Sequence, residues 1–197
     1  MSVALVIFIA TIAASLAGLY ASPKIIERSL FRPYWFLRGK QYDTIVTSGF
    51  VHADLGHLIF NMMTFYFFAF QLEKRIGPIA FGILYFVGLV VSDAGTYFKH
   101  RNDPQYASLG ASGAISAVLF ASIVYFPTQS LIILPIPVPI PAPLFAVLYL
   151  GYTWYSARQA RGRINHDAHL GGALTGLAFV LVTDPGAYAG LMRVVLG

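Results

Sequence analysis

Ser112 opens an apolar stretch with Gly113 after it and Gly110 two residues before it. Small residues on both sides leave its hydroxyl open to an approaching carbonyl carbon. If a helix starts here, the serine also offers its own backbone N–H, at the positive end of the helix dipole, to a developing oxyanion. A hydroxyl becomes a useful nucleophile only beside a base. The candidate is His169, which shares a helical stripe with Gly172 and Gly176 at i, i+3 and i+7. Two glycines one turn apart let helix backbones approach closely, so His169 would be carried tightly against the helix that packs there. The run from Gly110 to Ala114 supplies a partner head of the right size. His57 and Asn61 are four residues apart, lie on one helical face, and can add side-chain donors for an oxyanion. Nucleophile, base and electrophilic stabiliser would then come from three helices, a set suited to acyl transfer.

Each of these residues has a plainer reading when taken alone. A serine at the start of a membrane helix usually packs or caps. His57 and Asn61 also suit interhelical hydrogen bonding. Asp93, inside an apolar run, could be a proton relay or the acid that orients a histidine, but a local partner or exposure at the helix end is the simpler account. His166, Asp167 and His169, with His52 and His57, invite a metal, yet there is no H-E-x-x-H and no acidic third ligand on the face of the His166/His169 pair. Neither metal nor cofactor is expected.

The elements that would position these groups follow from composition. The chain has 197 residues, 57% hydrophobic and only 11% charged, which is too apolar for an ordinary soluble domain. Apolar runs bounded by charge or proline fall at about 2–21, 50–71, 78–98, 111–126, 141–157 and 168–183. They predict an all-α membrane protein of six transmembrane helices in a single domain, 1–197. The first run has no basic residue before it and reads as a retained helix. The chain lacks cysteine, so disulfides and thiol chemistry are excluded. The net charge of +5 sits in membrane-flanking connections, where lipid headgroups are a better partner than nucleic acid.

The connection 22–48 interleaves Phe31, Tyr34, Trp35 and Phe36 with Arg28, Arg32, Arg38 and Lys40, as a segment at headgroup level does. The run Leu134-Pro-Ile-Pro-Val-Pro-Ile-Pro-Ala-Pro143 is expected to be an extended polyproline connector. No internal repeat is evident, which leaves an inverted-repeat transporter unsupported.

Four motifs in order, H-A-D-L-G-H-L-I-F-N at 52–61, L-E-K-R-I-G at 72–77, G-A-S-G at 110–113 and A-H-L-G-G-A-L-T-G at 168–176, resemble the rhomboid family of intramembrane serine proteases. The resemblance runs from about Tyr42 to Gly176. It implies a Ser112–His169 dyad that cleaves transmembrane segments of membrane-protein substrates, without metal or cofactor. It also implies an oxyanion hole of the Ser112 N–H, His57 and Asn61, with His52, Gly110, Gly113, Gly172 and Gly176 in support. Two departures stand out. The Trp-Arg pair many members carry before the second helix is replaced by Gln41-Tyr42-Asp43-Thr44, and Ser116 stands where some members place an aromatic ring against the catalytic histidine. With Ser116 there, something else must orient His169, the Ser116 hydroxyl being one candidate.

The resemblance also implies a multi-pass protein of the bacterial cytoplasmic membrane, with the active site facing away from the cytoplasm. Against this, with a cytoplasmic N-terminus, connections 22–48, 99–110 and 158–166 would lie outside with ten of the thirteen Lys and Arg residues, opposite to the positive-inside rule. Two rival functions stay open: a non-catalytic member of the same fold that binds membrane proteins, and a proton-conducting channel or transporter using Asp93 and the histidines.

Overall fold

A computed structural model describes residues 1–133, 136–159 and 165–197. Ten α-helices and one β-hairpin follow in order among them: α1 (Val3–Leu16, extended by a π-helical turn over Ala17–Ala21), α2 (Pro23–Ser29), α3 (Pro33–Arg38), α4 (Thr44–Thr47), α5 (Leu55–Ile76), α6 (Pro78–His100), α7 (Ser112–Tyr125), β1 (Ser130–Ile133), β2 (Ile136–Pro141), α8 (Ala142–Gln159), α9 (His166–Thr183) and α10 (Ala187–Leu196). The chain is an all-α membrane bundle. Among the described residues, three helices are by themselves long and apolar enough to cross a bilayer: Val3–Ala21, Leu55–Ile76 and Pro78–His100.

Local chemistry sets the helix ends. Asp54 caps α5 by accepting the His57 N–H at 2.7 Å, so the helix begins at Leu55 rather than near residue 50. His52 therefore lies ahead of the helix, not on it. Gly77, at φ +84°, ends α5, and Pro78 starts α6 with its φ preset for a first turn. The Glu73 carboxylate, from the last turn of α5, accepts the Val3 and Ala4 N–H groups at 2.6 and 3.1 Å and the Ser2 hydroxyl as well. A negative group at the start of α1 satisfies its orphan donors and its dipole, and it ties the two helices antiparallel.

α7 is the axis of the bundle. Every residue from Gly113 to Val124 is buried, as an all-round apolar helix requires. Its neighbours are α5, α6, α9, at the far end α10 and, more sparsely, α8. Fourteen residues span about 21 Å, less than the roughly 30 Å hydrocarbon core. Non-helical backbone at membrane depth survives only when protein or a wet cavity surrounds it, and the segment before Ser112 meets that condition: the Gly110 N–H donates to the Ser48 carbonyl at 2.9 Å.

Two expectations are corrected. The Pro-rich run forms the second strand of an antiparallel hairpin, with Leu131 opposite Ile140 and Ser130 opposite Pro141, rather than a lone polyproline connector. Pro139 and Pro141 are two residues apart, so their missing N–H groups fall on the edge turned away from β1, while Pro137 lies where the register shifts between Ile132 and Ile133. Pro135 lies outside the described residues, as do 160–164 of the 158–166 connection. The second correction is α10, a helix the apolar runs did not announce, bent 117° from α9 at Asp184–Gly186.

The long connection 22–48 is held without a Trp-Arg pair. Phe31, fully buried, exchanges backbone hydrogen bonds with Ser108 at 3.0 Å each way. Arg38 donates to the Tyr34 and Arg101 carbonyls at 2.9 and 3.0 Å while lying over the Tyr34 ring. Connections 22–48 and 99–111 are therefore joined at one end of the bundle.

Candidate active site

Ser112 is the first residue of α7, and Ala111, at φ −73° and ψ 0°, leads into it. The first intrahelical bond runs from the Ile115 N–H to the Ala111 carbonyl, at 2.9 Å. The N–H groups of Ser112, Gly113 and Ala114 consequently have no partner within their helix. Gly110 must be glycine for two reasons: its φ is +120°, and the space a Cβ would take is filled by the His57 ring. His57 thus packs directly against the backbone two residues before Ser112.

His52 supports the same backbone from behind. Fully buried, it meets His57 edge-on at 4.9 Å between ring centroids. Its Nε2 accepts the Ala111 N–H at 3.5 Å, which leaves the proton on Nδ1 to donate to the Ser15 hydroxyl of α1 at 3.0 Å. Asn61, also buried, donates one amide N–H to the His57 carbonyl at 3.1 Å and keeps a second N–H for another acceptor.

His169 sits in the first turn of α9. Asn165 caps that helix by accepting the Ala168 N–H at 3.1 Å, and its own amide donates to the Thr96 hydroxyl of α6 at 2.8 Å. The glycine stripe behaves as its spacing suggests. A Cβ on Gly172 would overlap the Gly113 carbonyl, and one on Gly176 would overlap the Ala117 carbonyl. α7 and α9 are in backbone contact from Gly113 onward, so the head of one lies against the head of the other. Gly113 itself is pressed on its other side by the Ser92 side chain of α6. Ser112 and His169 are both half-buried, and among the described residues no hydrogen bond joins their side chains.

Asp93 has a local partner: its carboxylate accepts the Ser48 hydroxyl at 3.3 Å, and the Ser48 carbonyl in turn holds Gly110. It braces the segment before Ser112 from below, and it is buried rather than exposed at the helix end. Asp167 pairs with Lys99 at 2.7 Å, and the same Lys99 ammonium donates to the Ala157 carbonyl at 2.6 Å, joining the ends of α6, α8 and α9.

Sequence reasoning missed Tyr149, on α8. Its ring lies nearly parallel to the His169 imidazole, 19° between planes and 6.3 Å between centroids, and its hydroxyl is 3.1 Å from that of Ser116. The signal was present in part, because Ser116, where some family members place an aromatic ring, left open what packs against His169.

Comparison with known proteins gives the chain its relatives. A family model described as a rhomboid domain matches residues 39–185. RHOMBOID-like protein 12, mitochondrial, of Arabidopsis thaliana is 30% identical over 148 residues, which is 66% of this chain and 43% of that protein. Rhomboid protein 1, mitochondrial, of Saccharomyces cerevisiae is 30% identical over 177 residues, 82% of this chain and 48% of that protein. A Bacillus subtilis relative named as a candidate rhomboid protease is 37% identical over 71 residues, 36% of this chain and 35% of that protein. The chain spans less than half the length of these relatives.

Proposed function

The chain belongs to the rhomboid family, and from that premise we propose that it is an intramembrane serine endopeptidase acting on transmembrane segments of membrane proteins. The observation that carries this reading is the glycine-lined contact of Gly113 with Gly172, which sets the heads of α7 and α9 together. Ser112 Oγ attacks the substrate carbonyl carbon as its proton passes to the His169 imidazole. The tetrahedral oxyanion is held by the free N–H of Ser112, the His57 ring and the second amide N–H of Asn61. His169 returns the proton to the leaving amine as the C–N bond breaks. Water then attacks the acyl-enzyme, giving one proton to His169, and Ser112 recovers that proton as the ester opens. Gly110 and His52 keep the oxyanion wall in place, and Gly113, Gly172 and Gly176 keep base and nucleophile close.

The proposal includes a single domain in which α1 and α5 to α9 all cross a bacterial cytoplasmic membrane, α7 being supported by its enclosure rather than its length. We also take the end of the bundle bearing Ser112 to face away from the cytoplasm. The cysteine-free chain makes this easy to check, since Asn102 is exposed at that end and Asn102→Cys can be probed on intact cells with an impermeant thiol reagent. Labelling supports the orientation; protection until lysis means that the basic loops, not the family pattern, govern insertion.

A non-catalytic membrane-protein-binding role is the second reading. It draws on the absence of a Ser112–His169 hydrogen bond and on the engagement of Asn61 with its own helix. Purified chain in detergent, given a model transmembrane substrate and a serine-reactive fluorophosphonate, separates the two. Cleavage and Ser112 labelling that fall by about a thousandfold or more in Ser112→Ala and His169→Ala, while Asp93→Asn stays within about twofold, support the protease. Stable binding without cleavage of any substrate supports the second reading.

A further inference from the structure

His169 has no hydrogen bond to either ring nitrogen among the described residues, so its plane must be fixed by packing. Two rings supply it. His166 meets it edge-on at 6.0 Å, on the same helix, and Tyr149 lies nearly parallel to it from α8, offset with 6.3 Å between centroids. The Tyr149 ring is itself restrained: Phe120 of α7 stands at 5.4 Å, Phe145 at 5.5 Å, and the hydroxyl meets that of Ser116. Rings with centroids 4.5–7 Å apart in offset arrangement attract and resist tilting. A base held by a plate of this kind keeps its nitrogen aimed at the nucleophile, whereas a free imidazole samples several orientations.

The helix that carries the plate is loosely seated against α7 and α9. Along α8 only Ala142, Thr153 and Ala157 are buried, and Leu144, Val147, Leu148, Tyr152, Trp154 and Tyr155 are exposed. We propose that Tyr149 is the positioning residue for His169, and that because it rides on α8, the orientation of the base depends on α8 being seated against α7 and α9. The inference rests on the protease reading, with His169 as the base.

The test measures the rate of Ser112 labelling by a small fluorophosphonate, which needs no displacement of α8, in the full chain in detergent. Tyr149→Ala is expected to slow labelling by about tenfold to a hundredfold. Tyr149→Phe keeps the plate, loses only the hydroxyl contact with Ser116, and should slow it by about threefold. The decisive variant moves the ring to α7: Ser116→Tyr in the Tyr149→Ala background should recover most of the lost rate, which a merely structural role for Tyr149 would not produce. Thermal unfolding of each variant separates lost fold from lost positioning, and Tyr149→Leu replaces Tyr149→Ala if the smaller side chain unfolds the protein. Unchanged labelling in a folded Tyr149→Ala or Tyr149→Leu chain, or no recovery in the folded double variant, overturns the inference and leaves the protease reading intact. No labelling of Ser112 in the unsubstituted chain overturns both.

Discussion

The α7–α9 seam and the α8 flank hold the same histidine by opposite means. Along the seam, Gly172 and Gly176 meet the Gly113 and Ala117 carbonyls with no side chain between, and α7 is buried for twelve residues in succession, so neither helix can shift without breaking backbone contact. Along the flank, α8 touches the bundle through scattered side chains, Tyr149 and Phe145 among them, and is anchored at its end by one Lys99 ammonium. Close-packed backbone is bistable at best and resists gradual motion, while a side-chain seat can open and reclose. On the protease reading proposed above, the seam would fix the separation of nucleophile and base, and the flank would only refine the aim of the base.

The comparison breaks most visibly at Gly172. A leucine there must displace the Gly113 carbonyl, which is backbone and cannot yield as a side chain tip would. Overpacking of this kind costs about 3 kcal/mol or more. Gly172→Leu is expected to lower the thermal midpoint in detergent by many degrees and to abolish Ser112 labelling even in the fraction that stays folded. A stable, fully labelled Gly172→Leu chain would falsify the claim that backbone contact sets the dyad spacing.

How far the sequence discloses this arrangement depends on the range of each interaction. The stripe His169–Gly172–Gly176 is legible because helical period alone puts the three on one face, and the small head at Gly110–Ala114 announces its partner. Positions fixed by contacts between distant segments are not. Ser48 gives no hint that it bridges Asp93 and Gly110, and nothing in the Pro-rich run before α8 points to Tyr149. Other signals were present but ambiguous. Asp54 is an ordinary N-cap that moves the start of α5 past His52, prolines at every second position fit a ribbon edge as well as a polyproline helix, and Asp184-Pro185-Gly186 is a turn that allows α10 to follow.

A smaller effect sharpens the contrast at the end of the flank. Lys99→Met removes both the donor to the Ala157 carbonyl and one partner of Asp167, a partly exposed pair with one added hydrogen bond, for a loss of about 1 kcal/mol. The loss should be local. Hydrogen exchange is expected to quicken in residues 142–159 while 112–125 keeps its protection. An even rise across both helices would mean that α8 and the seam form one cooperative unit, and the distinction between them would fail.

The smallest effect comes from a glycine of the flank. On α8, a Cβ at Gly151 would meet nothing within 4 Å, in contrast to the blocked positions at Gly172 and Gly176. Inside a helix, alanine is preferred to glycine by about 0.5–1 kcal/mol, through reduced freedom of the unfolded chain. Gly151→Ala should therefore leave labelling unchanged and raise the thermal midpoint slightly. It should also leave substrate cleavage near its original rate, because an exposed methyl two residues after Tyr149 sits on a different face of the helix from the ring. If Gly151→Ala instead lowers cleavage while labelling holds, α8 bends at that glycine to admit substrate, and the flank moves by flexing about residue 151 rather than by lifting as a rigid rod.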